Sequence, residues 1–321
     1  MIIWFKSLIF VLFFFSILYC DILETSMNKL LILIMNSDLY PSNSIIPFIK
    51  KTYMKKEHAQ LAIGDYEWPK FKETSNSKDL SSPIIIFQAG SDEQKFQNNI
   101  LYLNIAKDLE TQAERTLATF EWVLENIDFD IIYRTTTTSY INLQKIYKHI
   151  EDIEPINFYS APEVKHQEKD GEIKFGSGAG YFLSRDLIKT IVENKNKWDF
   201  DLLDDVALGK LLNNLGKKLT PTTRQDFINY PTYSDIDFNQ FHYRFRLDLY
   251  GYPRFLEVLV LLSIHQKLEY LKSKEKILRY KIKIFDIFNI AFFRIFRFFN
   301  IIDKYKRTKK KLRKNLKSIL N

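Results

Sequence analysis

From Lys29 onward the chain alternates short Ile- and Leu-rich runs with longer segments of helical period, and this alternation constrains the fold more than any other feature. Continuous apolar runs suit strands buried on both faces, and strands alternating with helices build a mostly parallel sheet covered by helices. The runs that read as strands are 30–35, 84–88, 100–103, 129–134 and 156–159. Between the third and fourth, Ala113, Leu117, Phe120 and Leu124 recur at helical spacing, and Thr111 with Glu114 three residues later reads as a capping box. A second helix is expected over 204–215, with Leu208, Leu211, Leu212 and Leu215 on one face and Gly216 placed to end it. The polar stretch 73–82 reads as a surface loop. The expected class is α/β.

With 46% apolar residues and only nine Gly and nine Pro in 321, the chain is neither disordered nor collagen-like. Its single cysteine, Cys20, excludes an intramolecular disulfide and a Cys-rich zinc site. The net charge of +8 is unevenly placed: 272–317 holds 17 basic and 3 acidic residues, which leaves the remainder at −6. An acidic body is a poor footprint for nucleic acid, so no nucleic-acid partner is expected.

Three regions follow. In segment 1–26, residues 2–20 are interrupted only by Lys6, Ser7 and Ser16. As a helix they would reach roughly 28 Å, enough to span a bilayer as a signal-anchor. A cleaved signal peptide, or a start at Met27, are the other readings. Segment 27–253 is the globular body. Segment 254–321 reads as a basic, amphipathic helical extension, in which 304–317 has nine basic residues and no acid, suiting either an anionic lipid surface or a solvated tail. The expected localisation is membrane-associated, single-pass near the N-terminus.

No phosphate-cradling glycine loop, zinc motif or nucleophile elbow is present, and His58, His149, His166, His242 and His265 are scattered without metal-ligand spacing. Four polar features remain, near the ends of expected strands and helices. Arg134 precedes Thr135, Thr136, Thr137, Thr138 and Ser139, a guanidinium and five hydroxyls that suit a ribose and diphosphate, or simply a Thr-rich strand. In Phe175-Gly-Ser-Gly-Ala-Gly-Tyr-Phe-Leu-Ser184, glycines at alternate positions permit close backbone approach, or a bulge. Asp204 and Asp205 open a helix, as a cap or as a general base. In Phe241-His-Tyr-Arg-Phe-Arg246, His242 sits beside two arginines able to neutralise a leaving diphosphate, or on a basic surface strand.

In order, these features resemble the beta-1,3-galactosyltransferase and fringe-like family of glycosyltransferases, over roughly 27–246. Ile49-Lys-Lys-Thr-Tyr53 is similar to that family's I-R-x-T-W segment, and Ile84-Ile-Ile-Phe-Gln-Ala-Gly90 to its strand ending in F-x-x-G. Arg115-Thr-Leu-Ala-Thr-Phe-Glu-Trp-Val123 resembles its K-T-L-x-x-x-x-W-V helix, and Phe129-Asp-Ile-Ile-Tyr-Arg-Thr135 its F-D-Y-x-x-K-T. Tyr140-Ile-Asn142 fits the residues that follow the family's acidic triplet. Ser177-Gly-Ala-Gly-Tyr-Phe-Leu-Ser184 resembles S-G-x-G-Y-x-L-S, and Asp204-Asp-Val-Ala-Leu-Gly209 resembles (E/D)-D-V-x-x-G.

The resemblance implies a Rossmann-like, nucleotide-sugar-binding domain of the GT-A type, and inverting hexosyl transfer from a UDP-like sugar donor to a glycan or glycolipid hydroxyl. It implies Asp205 as general base, with Asp204 the less favoured candidate. Arg134, Thr136, Thr138, Arg115, His242 and Arg244 would face the donor, and Ser177, Gly178 and Gly180 would line the pocket. It further implies a Golgi-type membrane in a eukaryote, whereas the basic tail points to a cytoplasmic membrane face. One departure stands out: Thr136, Thr137 and Thr138 occupy the place of the family's metal-binding Asp-x-Asp. Mn²⁺ or Mg²⁺ stays open as a cofactor, but such hard cations prefer carboxylate oxygens and bind neutral hydroxyls far less strongly, so the favoured expectation is neutralisation by Arg134, His242, Arg244 or Arg246 in place of a metal. The competing expectation is a catalytically inactive sugar-binding or membrane-scaffold protein on the same fold.

Overall fold

The computed structural model describes residues 27–36, 42–73, 75, 80–108, 110–168, 171–272, 286 and 288–298. Fifteen strands and seven α-helices are described between residues 27 and 272. The first half runs β1 (Leu30–Asn36), α1 (Ser42–Lys51), α2 (Lys56–Ile63), β2 (Lys70–Phe71), β3 (Ile84–Gln88), β4 (Lys95–Gln97), β5 (Ile100–Tyr102), α3 (Gln112–Asn126), β6 (Ile127–Asp128), β7 (Ile131–Thr136), β8 (Ser139–Ile141) and α4 (Leu143–Ile150). It continues with β9 (Tyr159–Ala161), β10 (Glu163–Glu168), β11 (Gly171–Gly176), β12 (Gly180–Ser184), α5 (Arg185–Glu193), α6 (Asp204–Asn214), β13 (Thr220–Pro221), β14 (Gln225–Phe227), β15 (His242–Phe245) and α7 (Glu257–Lys272).

An eight-stranded mixed sheet has the order β13-β9-β12-β7-β1-β3-β5-β4. Its centre, β5-β3-β1-β7, is parallel, and β12 joins β7 antiparallel. Every residue of β1 is buried, as a central strand covered on both faces requires. Alternate side chains divide the core: Leu30, Ile32 and Ile34 pack with residues of α1, α2, α4 and α7, whereas Leu31, Leu33 and Met35 pack with α3, α5 and α6. The result is an α/β sheet covered on both faces, compatible with a Rossmann-like nucleotide-binding fold. Val260, Leu261 and Ile264 of α7 are fully buried in the first of these cores, so the packed body continues past residue 253.

Three local expectations are corrected. The expected strand 156–159 begins at Tyr159, because Asn157 takes a left-handed conformation (φ 53°) and donates its amide to Asp186. The strand expected over 129–134 is β7, shifted two residues toward its C-terminus. Thr111 does not cap α3: its hydroxyl donates to the carbonyls of Ala106 and Asp108 instead. The second helix does end as expected, with Gly216 at φ 71° and the Lys217 amide returning to the Leu212 carbonyl.

The expected localisation is also corrected, since among the described residues no helix is long and apolar enough to cross a membrane. The segment 2–20 that carried the expectation, and the basic stretch 304–317, lie outside the described residues.

Candidate functional site

Strand β1 leads to β3 on one side, while β7 returns on the other side of β1, so the sheet order reverses between them. Open α/β sheets place ligands beyond the carboxyl ends of strands at such a reversal. Here Met35 pairs in register with Thr136. Beyond them lies a cleft of ≈ 320 Å³, lined by the threonine turn Thr136–Thr138, the Ser177–Ala179 turn, the start of α6 with Asp204 and Asp205, and Arg134, Arg244 and Arg254.

The two aspartates at the start of α6 take different paths, because successive helical residues point about 100° apart. Asp204 turns inward and is 3% exposed. Its Oδ2 accepts from the guanidinium of Arg134, itself 2% exposed, and from the Thr116 hydroxyl at 2.9 Å. Burial pushes the Asp204 carboxyl up, and the guanidinium against it pulls the other way. Asp205 turns into the cleft, where Oδ2 accepts the Gly178 amide at 2.7 Å and Oδ1 its neighbour's Val206 amide at 3.0 Å. Glycine is required at 178 because a Cβ there would lie 2.7 Å from Asp205 Oδ2.

The threonine turn joins β7 to β8. Thr136 and Thr138 share a hydrogen bond between hydroxyls at 3.0 Å, and Thr135 donates to the Ala179 carbonyl at 2.7 Å, tying this turn to the glycine-rich one. Arg244, on β15, is half-buried; burial and the charge of Arg224 push it down to about 10, which leaves it a cation at neutral pH. Among the described residues neither Arg134 Nε nor Arg244 Nε has a hydrogen-bond partner. Arg224 donates to Ser177 Oγ at 2.9 Å and to Asp226 at 2.7 Å, bracing the turn from behind.

Of the expected site residues, the structure brings together Asp204, Asp205, Arg134, Thr136, Thr138, Ser177, Gly178 and Arg244 around the cleft. It does not bring Arg115 there: that side chain is 2% exposed and spends its donors on the carbonyls of Asp108 and Thr111. Nor does it bring His242, which is fully buried, with Nδ1 2.7 Å from the Tyr133 hydroxyl and Nε2 2.9 Å from Ser139 Oγ. Burial and the nearby charges of Arg224 and Arg244 hold this imidazole well below the usual histidine range. Gly180 serves that buried pair: a Cβ on it would lie 2.2 Å from the Tyr133 hydroxyl. Sequence reasoning missed Arg254 and Arg224, which belong to no motif and reach the site through the fold alone.

The cleft residues do not fit a divalent cation of the Mn²⁺ or Mg²⁺ type. The Asp204 carboxylate is taken by Arg134 and Thr116, which leaves Asp205 as a single carboxylate among neutral hydroxyls, and Arg244 and Arg254 line the same space with positive charge. The arrangement instead offers an anion-binding wall opposite one accessible carboxylate.

Over 142 aligned residues, the chain is 20% identical to UDP-GalNAc:beta-1,3-N-acetylgalactosaminyltransferase 2 of Homo sapiens, an overlap covering 40% of this chain and 28% of that protein. The Mus musculus protein of the same name matches to the same extent. This is a distant similarity to a β-1,3-glycosyltransferase. The chain spans less than a third of the length of these curated relatives. No family model matches. Among solved structures, 4-diphosphocytidyl-2C-methyl-D-erythritolsynthase from Anaerococcus prevotii DSM 20548 superimposes with a TM-score of 0.37 at 12% identity, covering 77% of this chain and 97% of that one.

Proposed function

We propose that the protein is an inverting glycosyltransferase of GT-A type, moving a hexose from a nucleotide-sugar donor, a UDP-sugar by preference, to a hydroxyl of a glycan or glycolipid. The observation that carries this reading is the Asp205 carboxylate, held by the Gly178 amide in the same cleft as the threonine turn and Arg244. The distant similarity to a UDP-GalNAc glycosyltransferase supports the same reaction class.

In this reading the acceptor hydroxyl gives its proton to Asp205 as its oxygen attacks the anomeric carbon of the donor. The bond from that carbon to the diphosphate breaks on the opposite side, so configuration inverts in one displacement. The two amides that hold Asp205 fix its rotamer, and each carboxylate oxygen keeps a lone pair for the incoming proton. Negative charge develops on the leaving nucleoside diphosphate. Arg244 and Arg254 supply charge to offset it, and the hydroxyls of Thr136 and Thr138 supply short donors, without a divalent ion. Asp204 and Arg134 line the cleft beside Asp205 as a buried ion pair.

A panel of UDP-sugars, assayed for donor hydrolysis and for transfer in EDTA and in Mn²⁺, tests this. Turnover in chelator that is lost in Asp205→Asn is expected. Strict dependence on Mn²⁺ would overturn the assigned charge partners, and donor binding without turnover in the unmodified protein would favour the sugar-binding alternative that the missing Asp-x-Asp raises.

A further inference from the structure

On the sheet face away from the cleft wall formed by α6, helices α2 and α7 bring together three side chains that belong to no sequence motif. His265 and Glu269 stand one turn apart on α7, which puts both on one face, and His58 meets them from α2. Their ligand atoms all lie within 4.8 Å of one another, and His58 Nδ1 is 3.7 Å from Glu269 Oε1. The two imidazoles meet edge to face, with centroids 5.3 Å apart.

We propose that His58, His265 and Glu269 form a binding site for a Zn²⁺-class divalent transition-metal ion, separate from the cleft. A tetrahedral ion with nitrogen and oxygen ligands at ~2.0–2.2 Å keeps those atoms about 3.4 Å apart, so the His58–Glu269 pair is nearly at that spacing already. The widest pair has to close by at most roughly 1.4 Å, a side-chain adjustment. All three residues are half-buried, so the ion is partly shielded from water while the ligands remain adjustable.

The surroundings supply what a ligating imidazole needs. Tyr140 Oη lies 2.9 Å from His265 Nδ1, a hydrogen bond that orients the imidazole ring. Tyr140 is itself 2% exposed and stacks edge-on against Tyr53, so this orienting partner is fixed. A cavity of ≈ 130 Å³ adjoins His58 and Glu269 and leaves room for water in the fourth position. Lys145 also lines this cavity, and its positive charge works against a cation, so binding has to come from the coordinating strength of the ligands. Two imidazoles and one carboxylate therefore select Zn²⁺, Co²⁺ or Ni²⁺ over Mg²⁺ and Ca²⁺. A bound ion would pin α7 to α2, and through Tyr140 to β8, the strand that leaves the threonine turn.

The test is equilibrium dialysis of the full chain against ZnCl₂, with bound metal measured by mass spectrometry and Tm followed in parallel. The expected result is one Zn²⁺ per chain with a raised Tm, retained in Asp205→Asn. His265→Gln and Glu269→Gln, with unchanged far-UV circular dichroism, should weaken binding at least tenfold. Co²⁺ substitution reads coordination without any mutation: the visible bands of a four-coordinate ion support the site, and the spectrum of the hydrated ion overturns it. Zn²⁺ binding equal in the variants, lost in Asp205→Asn, or absent from the unmodified protein would each overturn the assignment.

Discussion

Asp205 reaches across the cleft floor to accept the Gly178 amide at 2.7 Å, so the carboxylate and the glycine-rich turn hold each other in place. The contact depends on the missing side chain at 178. In Gly178→Ala the new Cβ would meet Oδ2 at 2.7 Å and the Asp205 Cβ at 3.0 Å. The carboxylate has to swing away, and a misplacement of about 1 Å in a reacting group costs roughly 100-fold in rate. We expect kcat for sugar transfer to fall by about that factor while donor KM changes little; unchanged kcat would remove Asp205 from the reaction.

The two neighbouring aspartates should separate cleanly by mutation. Asp204→Asn leaves the Arg134 guanidinium buried without its counter-charge, which costs about 3–5 kcal/mol. Its signature is a fall in Tm of several degrees or more. Asp205→Asn keeps the shape, removes the proposed proton acceptor and should leave Tm nearly unchanged while transfer falls by orders of magnitude. Swapped phenotypes would show that the inward and outward assignments are reversed.

Arg244 lines a cleft rich in hydroxyls, and its buried Nε has no partner among the described residues. Arg244→Ala should raise the Kd for a nucleoside diphosphate at least tenfold, and Arg244→Lys should restore only part of it because the planar fork is lost. Isothermal titration with UDP reads both, and equal affinities in all three proteins would assign Arg244 a packing role.

The sheet and the cleft differ in how far the chain alone announces them. Strands β1 and β3 are legible because the buried runs Leu30–Met35 and Ile84–Phe87 are continuously apolar, and α3 because Ala113, Leu117 and Phe120 face one core. The Asp204-Asp205 and Ser177-Gly178 segments are visible as motifs, but which aspartate faces the cleft is decided by helical phase and by Arg134, far away in sequence. His242 illustrates the limit. Its neighbours in sequence are aromatic and basic, yet its actual partners, Tyr133 and Ser139, lie more than 100 residues away and turn it into a buried, uncharged spacer. Thr111 fails as a cap for a local reason, since two nearby carbonyls compete for its hydroxyl.

Glu257, at the start of α7, gives the fold a pH dependence that can be checked without any assay of function. It is 1% exposed, its Oε2 has no partner among the described residues, and burial pushes its carboxyl up to about 7 despite Arg254 at 3.3 Å. In the unfolded chain the same group titrates near the ordinary glutamate value of ~4.3. Below that value both states are protonated and the group is neutral toward folding. Between ~4.3 and about 7 the unfolded state releases its proton while the folded state holds it, so stability declines as pH rises through this window and levels off above it. The shift corresponds to a loss on the order of 3 kcal/mol. Glu257→Gln should abolish this slope and be more stable than the parent at pH 8, with the two proteins converging near pH 4. Urea unfolding at pH 4, 6 and 8 reads the difference, and parallel pH profiles for the two proteins would place the Glu257 carboxylate in an ion pair with Arg254 that is as comfortable as in water.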